Sequence, residues 1–163
     1  MKLIFKEYWP IFEMLNTKFD NSLNWNIEAG KDIAIGTLDD LKIKISIDPI
    51  SYEKLVGLNL VFGIWDGEDF KELAGSIKTQ ISAKIIGAVT NAFKERIDHY
   101  EWDFLTLIAK DNVETRMKLY TRMADRLSRE GLHHQINERK DGNGVIVIGK
   151  KGINIRDVWN NLK

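Results

Sequence analysis

The chain has 163 residues, of which 44% are hydrophobic and none is cysteine, and its formal net charge is +0. This length fits one domain with a real core, and the hydrophobic content is too high for a disordered chain. The lack of cysteine excludes disulfides, thiolate catalysis and cysteine-based zinc sites. The zero net charge disfavours a nucleic-acid partner, although a local basic face stays open.

The first residues are rich in aromatic side chains at helical spacing, which predicts an N-terminal aromatic helix over residues 1–20. The spaced positions are Phe5, Tyr8, Trp9, Phe12, Leu15 and Phe19. Lys6 and Glu7 interrupt the apolar start, so we expect neither a signal peptide nor a membrane-spanning segment there. Two interpretations of the helix stay open: it covers the sheet, or it forms the contact of a homodimer.

Residues 24–65 are predicted to form mostly antiparallel strands. Short strands are expected at 24–28 and 32–37. Residues 41–48 alternate apolar and polar side chains, as in a half-buried strand, and we expect Pro49 to end that strand.

Two apolar runs in the middle of the chain are separated by a helical segment. Residues 55–65 are apolar on both faces, as in a central strand, and residues 104–109 form a second, shorter run. Between them, one face of a helix over residues 81–97 carries Ile81, Ile85, Ile86, Val89, Phe93 and Ile97. A strand, a crossover helix and a second strand predict two parallel neighbours in one sheet.

An amphipathic helix is predicted after the second run. Asp111 and Asn112 suit its start, with Glu114 as the capping-box partner, and Gly131 suits a left-handed stop. Its predicted core face consists of Val113, Met117, Tyr120, Met123, Ala124 and Leu127.

The chain ends with a predicted β-hairpin that turns at residues 141–144. Residues 150–163 form a tail or a short helix that Asn154 would cap. With the strand and helix half at residues 79–149, these elements predict a single-domain α/β fold for residues 1–163, a mixed sheet flanked by helices.

This order of elements is similar to the GCN5-related N-acetyltransferase fold. In that family a loop of Arg or Gln, two residues, Gly, one residue, then Gly or Ala holds the coenzyme A pyrophosphate at a helix N-terminus. Residues 80–85 (QISAKI) lie at the corresponding place, with Gln80 matching, Ala83 small and Ile85 departing from the pattern. Asn112 and the Leu119-Tyr120 pair stand near the family's second motif.

The second half also resembles a group of uncharacterised tailed-bacteriophage proteins, through residues 107–110 (LIAK) and 115–122 (TRMKLYTR). This resemblance implies a phage gene product that works in the cytoplasm of a bacterial host or in association with the virion. A host or phage protein is then the expected partner.

Together the resemblances imply a phage-encoded acyl-CoA-dependent N-acyltransferase that uses acetyl-CoA, with Tyr120 as the acid. The residues implied to bind the cofactor are Gln80, Ser82, Ala83, Lys84 and Asn112. Ile85 favours the alternative, a non-catalytic accessory protein on the same scaffold that acts in virion assembly or on a host protein.

Several of these side chains have a structural interpretation as well. Tyr120 is either a core tyrosine or an acid in a cleft. Arg116 either pairs with Glu114 or Asp103, or clamps a phosphate or carboxylate. A stripe of cations on the same helix is either a solvated face or a contact for an anion or partner; it consists of Lys118, Arg122, Arg126 and Arg129. The three histidines, His99, His133 and His134, lack metal-ligand spacing, so no metal site is expected.

Overall fold

A computed structural model describes residues 17–21, 23–65, 70–71, 79–110 and 113–162, with the side chains of 70–71 and 79–82 left out. Most of the predicted N-terminal helix therefore lies outside the described residues. Its last part, residues 17–20, is not helical. The prediction of a helix was wrong for residues 17–20, because the chain is already approaching the first strand there.

The described residues form eight strands in one mixed sheet and three helices. The strands are β1 (Asn26–Glu28), β2 (Lys31–Leu38), β3 (Leu41–Tyr52), β4 (Leu55–Trp65), β5 (Phe70–Lys71), β6 (Phe104–Ala109), β7 (His133–Lys140) and β8 (Asn143–Lys150). The helices are α1 (Thr79–Ile97), α2 (Val113–Leu127) and α3 (Ile155–Asn161). The strand order is β1-β2-β3-β4-β6-β8-β7, and β5 pairs with β4 off this path.

Strand β3 is longer than the sequence predicted, because Pro49 does not end it. Its pairing with β2 stops at Ile47, whereas its pairing with β4 continues through Pro49 to Tyr52. Beyond Ile47 the strand is therefore an edge on the β2 side. A proline, which lacks an N–H, is tolerated on such an edge.

The two apolar runs are parallel neighbours, which confirms the prediction. Gly57 pairs with Phe104 and Asn59 with Thr106, and α1 is the crossover between β4 and β6. Strand β8 pairs antiparallel with β6 on the other side, so β6 is buried within the sheet. The fold is thus mixed α/β.

Helices cover both faces of this sheet. Helices α1 and α2 pack on one face, against side chains such as Ile45, Leu60 and Ile146. Helix α3 packs on the other face, against Phe104 and Val147. Two glycines of β8 allow the close approach: a Cβ at Gly144 would meet Met117 of α2, and one at Gly149 would meet Ile155 of α3.

The core face of α2 is largely the predicted one, with Tyr120, Met123, Ala124 and Leu127 buried. Met117 is only partly buried at the edge of the core, whereas Leu119, which was not predicted, is buried. The buried stripe is therefore rotated slightly from the one that spacing predicted. The helix ends at Leu127, and Gly131, with φ of 79°, lies in the following turn.

The C-terminal elements follow from local turn and cap chemistry. Asp141 and Gly142 both have positive φ, at 51° and 82°, which is the two-residue turn that matches strand twist. Asn154 caps α3, its Oδ1 accepting a hydrogen bond from the Asp157 amide at 3.2 Å. Of the two alternatives for residues 150–163, the short helix is the one observed.

Candidate functional site

The parallel pair at the centre of the sheet is paired over only part of its length. On the edge of β4 that faces β6, residues 57–59 pair with β6, and Ile64 and Trp65 pair with β5. Ile64 also pairs with Ile43 of β3, which shows that β5 and β3 lie on opposite sides of β4. Residues 60–63 therefore face a gap between β5 and β6 on one side, while their other side is paired with β3 throughout.

A cavity of about 110 Å³ occupies this gap. It is lined by Asn59, Leu60, Val61, Phe62, Ile108, Lys110 and Tyr120. Successive side chains of a strand point to opposite faces, yet four consecutive residues of β4 line the cavity. The cavity therefore passes between the strands rather than lying on one face. We call it the β4/β6 cleft.

The backbone of β4 gives the cleft its hydrogen-bonding capacity. In a strand paired on one side, every second residue turns its N–H and C=O toward the other side. Across residues 60–63 these groups face the cleft and have no strand partner among the described residues there. An extended ligand that carries amides can pair with such an edge as another strand would.

Tyr120 forms the wall of the cleft on the α2 side. It is buried, with 6% of its surface exposed, and its ring lies 5.5 Å from that of Phe62 at an interplanar angle of 56°. Tyr120 therefore has a feature of each interpretation: its ring belongs to the core, as in a core tyrosine, and its side chain lines a cavity. A phenol in that position can donate a proton to a group held in the cleft.

A polar pair of buried Thr106 and half-buried Asn59 stands where β4 and β6 separate. Thr106 is 1% exposed, and its hydroxyl donates a hydrogen bond of 2.7 Å to Oδ1 of Asn59. This bond fixes the orientation of the amide and leaves the NH₂ group of Asn59, a cleft residue, as a donor. Sequence reasoning missed the pair, although each residue interrupts an otherwise apolar strand.

The residues predicted to hold a pyrophosphate lie inside α1 rather than in a loop. The helix begins at Thr79, and only the amides of its first turn lack partners within the helix, so those of Ala83 and Lys84 are already bonded. Ala83 is buried, and Lys84 pairs with Asp39 of the β2–β3 turn at 3.2 Å. The side chains of Gln80 and Ser82, and the whole of Asn112, lie outside the described residues.

Ile85, the residue that departs from the family pattern, is fully buried in the core shared with the sheet. Its side chain therefore points inward, away from solvent. The amides at the start of α1 are not covered by it.

The predicted cations of α2 do not form one surface. Arg116 is buried at 6% exposure, while Lys118 is exposed and Arg122 is half-buried. Arg126 is also half-buried and donates a hydrogen bond of 3.1 Å to Oδ1 of Asn91, which links α2 to α1. Asp103, one predicted partner of Arg116, lies just before β6 and accepts a hydrogen bond of 2.8 Å from the Val56 amide of β4.

Within the described ranges, no group of three or more His, Asp or Glu side chains could hold a metal ion. No described helix is long and apolar enough to cross a membrane. Comparison of the chain with models of protein families, with curated proteins and with solved structures finds no match in any of the three.

Proposed function

We propose that the protein binds an acyl-CoA in the β4/β6 cleft and transfers its acyl group to an amine. The observation that carries this proposal is the gap on the β4 edge at residues 60–63, with Tyr120 in its wall. The phage origin implied by the sequence would place the acceptor amine in a bacterial host.

The chemistry of the cleft suits such a ligand. The pantetheine arm of coenzyme A is extended and contains two amides, which can pair with the N–H and C=O groups of β4 that have no strand partner among the described residues. A thioester held there lies among Leu60, Phe62 and Ile108, in a largely apolar environment where each polar contact is strengthened.

The reaction would proceed by attack of the neutral amine on the thioester carbonyl. A C–N bond forms, the C–S bond breaks, and the proton lost by the amine passes to solvent. The Tyr120 hydroxyl gives its proton to the departing thiolate and recovers one from water. The pyrophosphate would lie against the first turn of α1, where the amides are not bonded within the helix.

A non-catalytic protein on the same scaffold, acting in virion assembly or on a host protein, is the second candidate. It is favoured by the Lys84–Asp39 ion pair near the start of α1, because that carboxylate would repel a pyrophosphate.

Thermal melting with acetyl-CoA separates the two candidates. A ligand at a hundred times its dissociation constant stabilises the folded state by about 2.7 kcal/mol, so millimolar acetyl-CoA should raise the melting temperature clearly. Val61→Trp should fill the cleft and abolish the rise. The matched control is Val56→Trp on the same strand, where the side chain is 46% exposed and does not line the cleft, and it should keep the rise.

The absence of a rise in the wild-type protein would contradict acyl-CoA binding and leave the non-catalytic candidate. A rise that survives in Val61→Trp would place the ligand somewhere other than the cleft.

A further inference from the structure

A second cavity, of about 270 Å³, lies at the opposite end of β6, where α1 and α2 end. Its lining includes Lys94, Trp102, Arg126, Ser128, His133 and Lys150. Ile108 of the cleft lies six residue steps beyond Trp102, or about 20 Å at about 3.3 Å per residue. We call this cavity the basal pocket; it plays no part in the proposed acyl transfer.

The basal pocket carries a surplus of positive charge. Its cations are Lys94, Arg126, Arg129 and Lys150, and Asp98 is the carboxylate among the described residues that line it. Asp98 forms an exposed ion pair with Arg129 at 3.3 Å. The carbonyl ends of α1 and α2 add about half a negative charge each. Arg126 is engaged with Asn91, so only Lys94, Arg129 and Lys150 are counted against Asp98 and the two helix ends. A surplus of about one positive charge remains, so the pocket should attract an anion.

Two neutral donors complement the cations. The Oγ of Ser128 is buried and has no hydrogen-bond partner in the described part of the chain. The Nδ1 of His133 accepts a hydrogen bond of 2.9 Å from the Arg129 amide, so the neutral ring carries its proton on Nε2. Burial, followed by the charges of Arg129, Lys150 and His134, lowers the pKa of His133, which keeps the ring neutral near pH 7.

The position of Lys150 is defined by an aromatic side chain. Its Nζ lies 4.9 Å from the ring centroid of Trp102, which is only 6% exposed. The same ring lies 5.1 Å from that of His133. The Lys150 ammonium and the His133 ring are therefore both held against the fixed indole of Trp102. This lowers the conformational entropy that these two side chains lose when they bind a ligand.

We propose that the basal pocket binds the phosphate group of a small phosphate monoester. A phosphate monoester is an anion with three terminal oxygens that can accept from hydroxyl, ring N–H and cationic donors together. A carboxylate has only two oxygens and would leave donors of this set unused. The volume suits a small molecule and is too small for a folded partner.

Isothermal titration of the full chain with phenyl phosphate at low ionic strength tests this proposal. We expect saturable one-to-one binding that Lys150→Glu weakens at least tenfold. Lys151→Glu makes the same charge change at the next residue, which is exposed and does not line the pocket, and it should weaken binding less than twofold. Equal weakening in both variants, or no saturation with the wild-type protein, would overturn the proposal.

Ser128→Ala gives a second test that does not depend on how Lys150→Glu folds. Because the Ser128 hydroxyl has no partner in the described structure, its removal should leave the melting temperature unchanged while binding of phenyl phosphate weakens at least threefold. Unchanged affinity in this variant would overturn the proposed site. Binding of a single-stranded oligonucleotide without saturable binding of phenyl phosphate would also overturn it, in favour of a polymer-binding surface.

Discussion

The two ends of the β4/β6 pair are built from similar apolar sequence and yet differ in structure. At the closed end, the Asp103 amide donates to the Val56 carbonyl at 2.7 Å and its carboxylate accepts from the Val56 amide at 2.8 Å, ahead of the paired residues 57–59. At the open end, residues 60–63 of β4 and 107–109 of β6 no longer pair with each other. Each of these stretches keeps its pairing on the outer side, with β3 or β8.

The difference shows how a sheet can hold an unpaired stretch without losing its core. Side chains at both ends are buried by α1 and α2, so hydrophobic burial does not distinguish them. What changes is the backbone on one edge, where amides of residues 60–63 have no strand partner in the described part of the chain. Such amides are costly unless another group, water or a ligand satisfies them. The closed end therefore stabilises the sheet, and the open end leaves backbone groups of the described residues that a ligand could pair with.

Removal of the Tyr120 hydroxyl should have the largest effect at the open end. In Tyr120→Phe, amine-dependent release of thiol from acetyl-CoA should fall by about 10²–10⁴-fold, the usual range for a lost general acid. The rise in melting temperature with acetyl-CoA should persist, because the ring still fills the wall beside Phe62. Thiol release is measured with a panel of primary amines. A rate equal to that of the wild-type protein would make the open end a binding site without acid catalysis by Tyr120.

Truncation of side chains at the two ends should separate stability from binding. Leu58→Ala, at a position 1% exposed in the closed end, should lower the free energy of unfolding by about 2–5 kcal/mol. Val61→Ala, at a half-buried position in the open end, should cost only about 1 kcal/mol, since part of the side chain is already accessible. Urea unfolding of both variants measures the difference. Equal losses would mean that the cleft is packed as tightly as the paired region.

Sequence patterns predicted the closed end better than the open one, for a physical reason. The strand at residues 104–109 and its parallel pairing with β4 follow from apolar runs and the handedness of crossovers, and both are observed. Hydropathy, however, reports which side chains are buried and not which backbone edge is paired. The gap beside residues 60–63 therefore left no periodic signal. The polar residues Asn59 and Thr106 were the available sign of it.

Other differences have the same origin in tertiary context. Pro49 was expected to end a strand because it cannot donate a hydrogen bond, but the missing N–H has no cost where β3 becomes an edge. Arg126 was placed with Lys118 on one cationic stripe, yet it contacts Asn91 of α1. Helical spacing gives the direction of a side chain, whereas the neighbouring element decides whether water or protein lies there.

The Asn59–Thr106 pair sits at the boundary between the two ends and should have an intermediate effect. Thr106→Val leaves Oδ1 of Asn59 without its donor and should cost about 1 kcal/mol. Thr37→Val, at a half-buried position of β2, is the control and should stay within about 0.5 kcal/mol. In Thr106→Val the side-chain amide of Asn59 is no longer oriented, so the dissociation constant for acetyl-CoA should also rise in that variant. Loss of stability without a change in that constant would assign the pair to the closed end alone.

The smallest expected effect concerns the pH dependence of the closed end, through His133. Its pKa is lowered from 6.5 in the folded state, first by burial and then by Arg129, Lys150 and His134. As pH falls below 6.5, the unfolded chain takes up a proton on this histidine before the folded chain does. The free energy of unfolding therefore decreases between pH 6.5 and the lower pKa of the folded state. His133→Asn keeps an acceptor for the Arg129 amide and lacks the titrating ring. Urea midpoints at about pH 7.5 and 5.5, on either side of the ordinary histidine pKa, should therefore differ less in this variant than in the wild-type protein. If the urea midpoint changes between the two pH values as much in His133→Asn as in the wild-type protein, the proton uptake belongs to another residue. The cations around the basal pocket then do not act on His133.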